Sequence, residues 1–289
     1  MKWEVLYHYT SLDTFVNIIR NREFRLYDIT KSNDPLEGKY ILQSLETSYR
    51  KLYQEEKIDK AKYMLVHRAF FHFTEELNSC GRMVDFCGSA SFCVPSHELT
   101  MLRCYGDNGK GVAIGVPISV LKSLTSNPDI EFKKIRYISA KELETKCDQF
   151  WLEMLNKYDI LGMDYTEDGL APLLSELKQY YRDGFFVKDI VNCDEEEYRL
   201  LVYKKDLFKF SLPTLVDSID ENIDFYCGNG DLKAYYKLPL QSSEEDGFTI
   251  SDVIPGPLCK ATTTEINVFL RKNGFFNNNI TPNTWVKMR

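Results

Sequence analysis

Leu6-Tyr7-His8-Tyr9-Thr10-Ser11 decides how the chain is read, because it is a strand run that stops at a helix cap. Leu6, Tyr7 and Tyr9 are apolar or aromatic and suit a strand. Ser11 is placed to accept the first free backbone N–H groups of a helix whose apolar face is Phe15, Ile18 and Ile19. His8, Tyr9 and Thr10 then stand at the carboxyl end of a strand beside a helix N-terminus. Free N–H donors and the helix dipole meet there, which favours ligands carrying phosphate or ribose groups. His8 is one of four histidines in the chain. A lone histidine is more often structural than catalytic, so the segment needs a partner elsewhere.

Outward from this junction, Phe24-Arg25-Leu26-Tyr27 reads as a short strand and Lys31 to Glu37 as a turn. In that turn Asn33 and Asp34 can bond their own backbone and Pro35 suits a first helical position. The following helix runs through Tyr40, Leu42 and Leu45 towards Leu52, and a second covers Ile58 to Leu77. Phe86 to Cys93 reads as a buried strand, and Ser96 as the cap of a helix carrying Leu99 and Leu102. Gly111 to Val116 is a strand closed by Pro117, which opens a short helix through Val120 and Leu124. Glu131 to Ile138 is expected as one further strand, and residues 140 to 183 as helix with a loop from Gly162 to Gly169. Glu197 to Tyr203 alternates large apolar with polar residues, as a strand with one buried face should. The polar stretch from Ser218 to Asp246 reads either as a hairpin between Asp224 and Leu238 or as a mobile loop. Phe248 to Ile254 is a strand and Thr263 to Asn273 a terminal helix. Strict βαβ alternation is missing, so the expectation is an α+β fold in one domain over 1–289, with helical elaborations near 39–80 and 140–183.

The chain has 289 residues, 44% of them hydrophobic and 27% charged, enough for a substantial core. A net charge of -7 argues against a general binder of phosphate backbones. No apolar run is long enough to cross a bilayer and no signal-peptide core is visible, so a cytoplasmic location is expected. None of the eight cysteines forms a Cys-x-x-Cys pair or stands at zinc-ligand spacing from two histidines. Reduced thiols and no metal are therefore expected.

Two further groups carry chemistry. In Asp194-Glu195-Glu196-Glu197-Tyr198-Arg199, the period of a strand puts Glu195 and Glu197 on one face. Two carboxylates there repel unless a cation or ligand hydroxyls lie between them. The plainer reading is an acidic loop leading into a strand. The other group is Ser91-Phe92-Cys93 with Met101-Leu102-Arg103-Cys104-Tyr105. Tyr105 either packs on the core or offers a plate to a flat ring, with Arg103 or Lys110 near an anion. The glycine-rich runs at 107–111 and 226–230 match no phosphate-loop pattern and are explained as turns.

In this order, Tyr7-His8-Tyr9-Thr10-Ser11 with Asn33-Asp34-Pro35-Leu36-Glu37, Ser91-Phe92-Cys93 with Met101 to Tyr105 and Lys110-Gly111, and Lys188 with Glu195-x-Glu197-Tyr198-Arg199 resemble the bacterial domain-of-unknown-function family 2971. Val253-Ile254-Pro255-Gly256-Pro257 extends the resemblance over nearly the whole chain. Where that family usually shows Met-Trp, this chain has Met101-Leu102. The order of elements is similar to that of the ADP-ribosyltransferase superfamily, in its His–aromatic–Glu branch. The resemblance implies a split β-sheet core with helical insertions, with NAD as substrate and no metal. It places ribose binding on His8, nicotinamide stacking on Tyr105 and the catalytic carboxylate on Glu197, with Glu195 as the first acid of a Glu-x-Glu pair. Tyr9, Thr10 and Ser91 would help to hold the ligand, and Arg25, Arg103 or Arg199 its pyrophosphate. The implied activity is transfer of ADP-ribose to a protein or nucleic acid, as a toxin-like or antiviral defence effector with a partner or antitoxin protein. An NAD glycohydrolase and a silent nucleotide-sensing module are the alternatives.

Overall fold

β1 (Val5–Thr10) ends at Ser11, whose hydroxyl accepts the Thr14 N–H at 3.1 Å. α1 (Leu12–Asn21) follows with Phe15, Ile18 and Ile19 buried, so strand, cap and helix form where the sequence puts them. Arg22, at φ 52°, turns the chain into β2 (Glu23–Asp28). The computed structural model describes residues 4–29, 39–79, 86–95, 98–158, 166–204, 220–228, 230–240, 249–276 and 278–281. Its remaining elements are α2 (Lys39–Gln54), α3 (Lys60–Ser79), β3 (Phe86–Cys93), α4 (Glu98–Tyr105), β4 (Val112–Pro117), α5 (Ile118–Ser123), β5 (Ile130–Lys134) and β6 (Arg136–Ile138). They continue with α6 (Ala140–Lys157), α7 (Glu167–Gly184), β7 (Val187–Asp189), β8 (Glu197–Lys204), β9 (Ile223–Gly228), β10 (Asp231–Pro239), β11 (Asp252–Pro255), α8 (Thr263–Lys272) and β12 (Asn279–Ile280).

The fold is mixed α/β around a ten-stranded sheet in the order β12-β11-β4-β1-β3-β2-β10-β9, with β8 against the other edge of β3 and β5 beyond it. All its pairings are antiparallel except β11 with β12. One edge of β3 is shared by two strands. β1 meets it only at Tyr7 and Cys93, and β2 only at Tyr27 with Ser89 and Asp28 with Gly88. From there β1 runs along β4 and β2 along β10. The sheet is therefore split between β1 and β2, over residues 90–92 of β3.

Two layers cover the sheet. α1 and α8 bring Phe15, Ile18, Ile19, Ile266 and Leu270 onto Leu6, Ile114, Leu200 and Val202. On the other face α2, α3, α6 and α7 pack Leu45, Phe73, Trp151 and Leu177 with Cys87 and Leu201. Trp151 is fully buried and its indole N–H donates to the Leu45 carbonyl at 3.0 Å, so no polar group is stranded. No described helix is long and apolar enough to cross a membrane.

Several expectations change: the loop expected to reach Gly169 is helix from Glu167 on, and of the strand expected from Phe248 to Ile254 the part from Asp252 forms. Glu131 to Ile138 is two strands, because the buried Ile135 gives its N–H to the Glu197 carbonyl at 2.9 Å and the chain then leaves the sheet. Arg136–Ile138 pairs instead with Val187–Asp189 in a separate two-stranded parallel sheet. β8 is buried on both faces rather than one, because packed layers cover both sides of the sheet there: Leu200 and Val202 face one layer, Leu201 the other. Pro117 is the cap of α5 rather than its first residue. Of the two readings of the polar stretch, the hairpin forms, as β9 with β10. The expected turn at 31–37, the Ser96 cap, 162–165 of the loop between helices and the ends of the polar stretch at 218–219 and 241–246 lie outside the described residues.

Candidate functional site

A cleft of about 550 Å³ opens at the split. β1 contributes His8, Tyr9 and Thr10, β2 Arg25, Tyr27 and Asp28, and β3 Ser89, Ser91 and Cys93. Met101, Cys104 and Tyr105 of α4, Lys188 of β7, Glu195, Glu197 of β8, and Tyr226 and Lys233 of the hairpin complete much of the wall.

The split explains the first contact. Among the described residues, no strand pairs with that edge of β3 over residues 90–92, and a main-chain acceptor there needs another donor. His8 supplies it: its Nδ1 lies 3.0 Å from the Ser91 carbonyl oxygen. The imidazole is edge-on to Phe24 at 4.7 Å and tilted against Phe92 at 5.9 Å. Burial lowers its pKa below the usual histidine value, against the opposing effect of the Ser91 carbonyl. At neutral pH the ring is therefore uncharged. We assign its proton to Nδ1, which must donate to the carbonyl, and this leaves Nε2 an acceptor.

The same serine reaches the acid. Ser91 Oγ donates to Glu197 Oε1 at 2.6 Å, and Cys93 of β3 stands opposite Glu197 of β8. Glu197 is only 1% exposed. Arg199 Nε and Nη2 each lie 2.8 Å from Oε1, and Lys188 Nζ lies 2.7 Å from Oε2. Burial alone would raise this carboxyl, but Arg199 and Lys188 outweigh it and hold the pKa at about 2. Oε2 is buried against the Lys188 ammonium.

Glu195 arrives by another route. It ends a 3₁₀ turn over Ile190–Glu195, and Glu196 follows in the left-handed region at φ 42° and ψ 46°. The strand begins only at Glu197, so strand parity is not what brings the two acids together. Lys188 does so, with Nζ 2.8 Å from Glu195 Oε2 and 2.7 Å from Glu197 Oε2. Lys188 is carried by β7, whose register pairs it with Tyr137 of β6, and the Tyr137 hydroxyl accepts the Glu197 N–H at 2.8 Å. Tyr105 closes this end by donating its hydroxyl to Glu195 Oε1 at 2.6 Å. Partial burial and that bond raise the phenol above its usual value.

Of the residues singled out in the sequence, His8, Tyr9, Thr10, Ser91, Tyr105, Glu195 and Glu197 line one cleft. Arg199 does not. It lies beneath Glu197, 1% exposed, and its Nη1 donates to the Phe185 carbonyl at 2.5 Å, so it holds the acid and is closed to a ligand. Arg103 is exposed at the end of α4 and outside the cleft wall, as is Lys110. Arg25 does line it, with Nε 2.7 Å from Glu23 and its guanidinium 4.4 Å from the centre of the Tyr235 ring. Lys188, Tyr137, Tyr226 and Lys233 received no role from the sequence. β7 is three residues long and shows no periodicity, so nothing local marks Lys188 as facing two acids.

Fold and site together define a mixed α/β protein with a polar, carboxylate-bearing cleft where its sheet divides. No known protein family, curated protein or solved structure matches the chain.

Proposed function

We propose that this chain is a cytoplasmic ADP-ribosyltransferase that cleaves NAD in the split-sheet cleft and transfers ADP-ribose to a macromolecular acceptor. One observation carries the reading: an ionised Glu197, held by Arg199, Ser91 and Lys188, lines a cleft that also holds a neutral His8. Breaking the nicotinamide–ribose bond sends the bonding pair to the ring nitrogen, cancels its positive charge and leaves an oxocarbenium-like cation on the sugar. An ionised carboxylate beside the 2′-hydroxyl stabilises that cation more than the ground state, as in glycoside hydrolysis. His8 Nε2 accepts a hydroxyl of the other ribose, with Thr10 beside it. The Tyr105 ring offers a face for the departing nicotinamide, and Tyr9 and Cys93 line the same cleft. The acceptor, a protein or a nucleic acid, then adds to the sugar carbon and loses its proton. The toxin-like or defence role and the antitoxin partner belong to this same proposal and rest on the resemblance alone.

A second reading, a nucleotide-sensing module without turnover, is favoured by Glu197 Oε1, already occupied by Arg199 and Ser91. Incubation with NAD labelled on its adenylate separates the two. Free nicotinamide together with label on protein, RNA or DNA is the expected result. Free ADP-ribose alone means hydrolysis, and binding without nicotinamide release means sensing. Glu197→Gln should abolish release with circular dichroism unchanged, and Glu197→Asp should retain a trace. Unaltered release by Glu197→Gln would remove the carboxylate from the chemistry.

A further inference from the structure

We propose that Lys188 is a positioning residue of this site: its ammonium holds Glu195 and Glu197 together at one end of the cleft, and the pH range over which the cleft works depends on it. The inference rests on the NAD reading above and concerns a residue that touches the reaction only through the two acids.

Four charged groups converge here. Lys188 Nζ lies 2.8 Å from Glu195 and 2.7 Å from Glu197, and Arg199 lies 2.8 Å from Glu197 on its other oxygen. The lysine side chain is 10% exposed, Glu195 17% and Glu197 1%. Two anions and two cations cancel. The other groups that face them are Ser91 and Cys93 from β3, Tyr105 from α4 and Tyr137 from β6. Burial raises the Cys93 thiol and both phenols, so all three are uncharged at neutral pH. Asp189, next to Lys188 in β7, is engaged with the Val191 N–H at 3.0 Å and the Tyr40 hydroxyl at 3.3 Å.

The fold does not need a second cation for Glu197 to be buried, because Arg199 already neutralises it and anchors it to the Phe185 carbonyl. Nor does Glu195, on a short turn at the rim, need a lysine in order to fold. What does need Lys188 is the close approach of two carboxylates to one site. Without it the two acids repel across one site, and the charged form of Glu197 loses one of the two cations that favour it. The left-handed Glu196 is the geometric counterpart, since it turns the chain so that both acids meet one ammonium.

Lys188→Met and Lys188→Arg test this, with nicotinamide release measured against pH. For Lys188→Met the acid limb should move up by about one pH unit or more. At pH 7 kcat should fall by about tenfold or more, with a smaller change in KM. Lys188→Arg should recover much of the profile, and carboxyl NMR of the ligand-free protein should show the raised titration directly. Near-UV circular dichroism checks that both variants fold; if Lys188→Met does not, the smaller shift expected of Lys188→Arg decides. An active wild type whose two lysine variants keep its pH profile and kcat overturns the role of Lys188 alone. A folded wild type that releases no nicotinamide overturns the NAD reading, and the lysine's part in it falls with it.

Discussion

His8 and Glu197, nearly two hundred residues apart in the chain, are bonded to opposite ends of one serine. The imidazole meets the Ser91 carbonyl at 3.0 Å, and the Ser91 hydroxyl meets the carboxylate at 2.6 Å. The first bond uses the main chain of Ser91 and survives any substitution of that serine that keeps β3 in place. The second uses the side chain. Ser91→Ala should therefore leave the His8 titration unchanged by NMR and lower stability by about 1–2 kcal/mol in urea, as loss of a hydrogen bond to a charged group does. Nicotinamide release should drop, because Glu197 Oε1 is then held by Arg199 alone. A shifted His8 titration would mean that the two halves of the site are coupled through more than this serine.

Of the three arginines that the sequence offers to a pyrophosphate, Arg199 and Arg103 should behave in opposite ways. Arg199→Met leaves the Glu197 carboxylate buried with Lys188 and the Ser91 hydroxyl, and removes the Arg199 donor from the Phe185 carbonyl. Breaking a buried pair on one side costs about 3–5 kcal/mol. Arg103→Ala removes an exposed side chain outside the cleft and should change stability by no more than about 0.5 kcal/mol. Its NAD affinity by calorimetry should equal that of the wild type. A large loss of affinity in Arg103→Ala would place a ligand beyond the described cleft.

The contrast between these residues also measures what the sequence made legible. The β1–Ser11–α1 junction could be read because a period-2 run, a capping serine and a period-3.6 face stand side by side and local rules decide each. The membership of Glu195 and Glu197 in one site was legible, but the strand parity offered for it was not the cause. A left-handed Glu196 breaks that parity, and non-glycine residues carry no mark of positive φ. Arg199 does share the strand with Glu197, yet strand parity cannot say that β8 lies between β3 and β5 and is sealed on both faces. Lys188 depends on the departure of β6 from the sheet at Ile135, a tertiary event with no local pattern.

Stability should carry the signature of Glu197 in acid. Its folded pKa, about 2, lies below the usual 4.5, so the folded state favours the ionised form. That contribution is present in full above about pH 4.5 and is lost as pH falls towards 2, worth about 3 kcal/mol over the window. Other depressed carboxylates such as Glu131 and Glu176 titrate in the same direction in any variant. The difference in urea midpoint between wild type and Glu197→Gln should therefore shrink steadily from pH 5 to pH 2. A difference that stays constant would mean that Glu197 is not held ionised by its cations.

Gly111, the residue before β4, lies against the backbone at the end of β1. A Cβ built there would overlap the Thr10 carbonyl oxygen and come within 2.9 Å of the Gly106 carbonyl oxygen, both of them backbone atoms that cannot swing away. The Gly111 N–H donates to Gly106 at 2.8 Å and its carbonyl accepts the Gly256 N–H at 2.8 Å, so the residue is pinned on both sides. Any shift must be taken up by Thr10, the last residue of β1 and part of the cleft wall, which pairs with Val112. Gly111→Ala should then cost about 1–3 kcal/mol in stability. It should also weaken NAD binding, because His8 and Thr10 ride on the displaced strand end. Gly230 provides the control, with nothing within 4 Å of a built Cβ, although its φ of 76° adds backbone strain of its own. Gly230→Ala should lower the urea midpoint and leave NAD affinity unchanged. If Gly111→Ala also leaves affinity unchanged, the end of β1 does not form part of the ligand site.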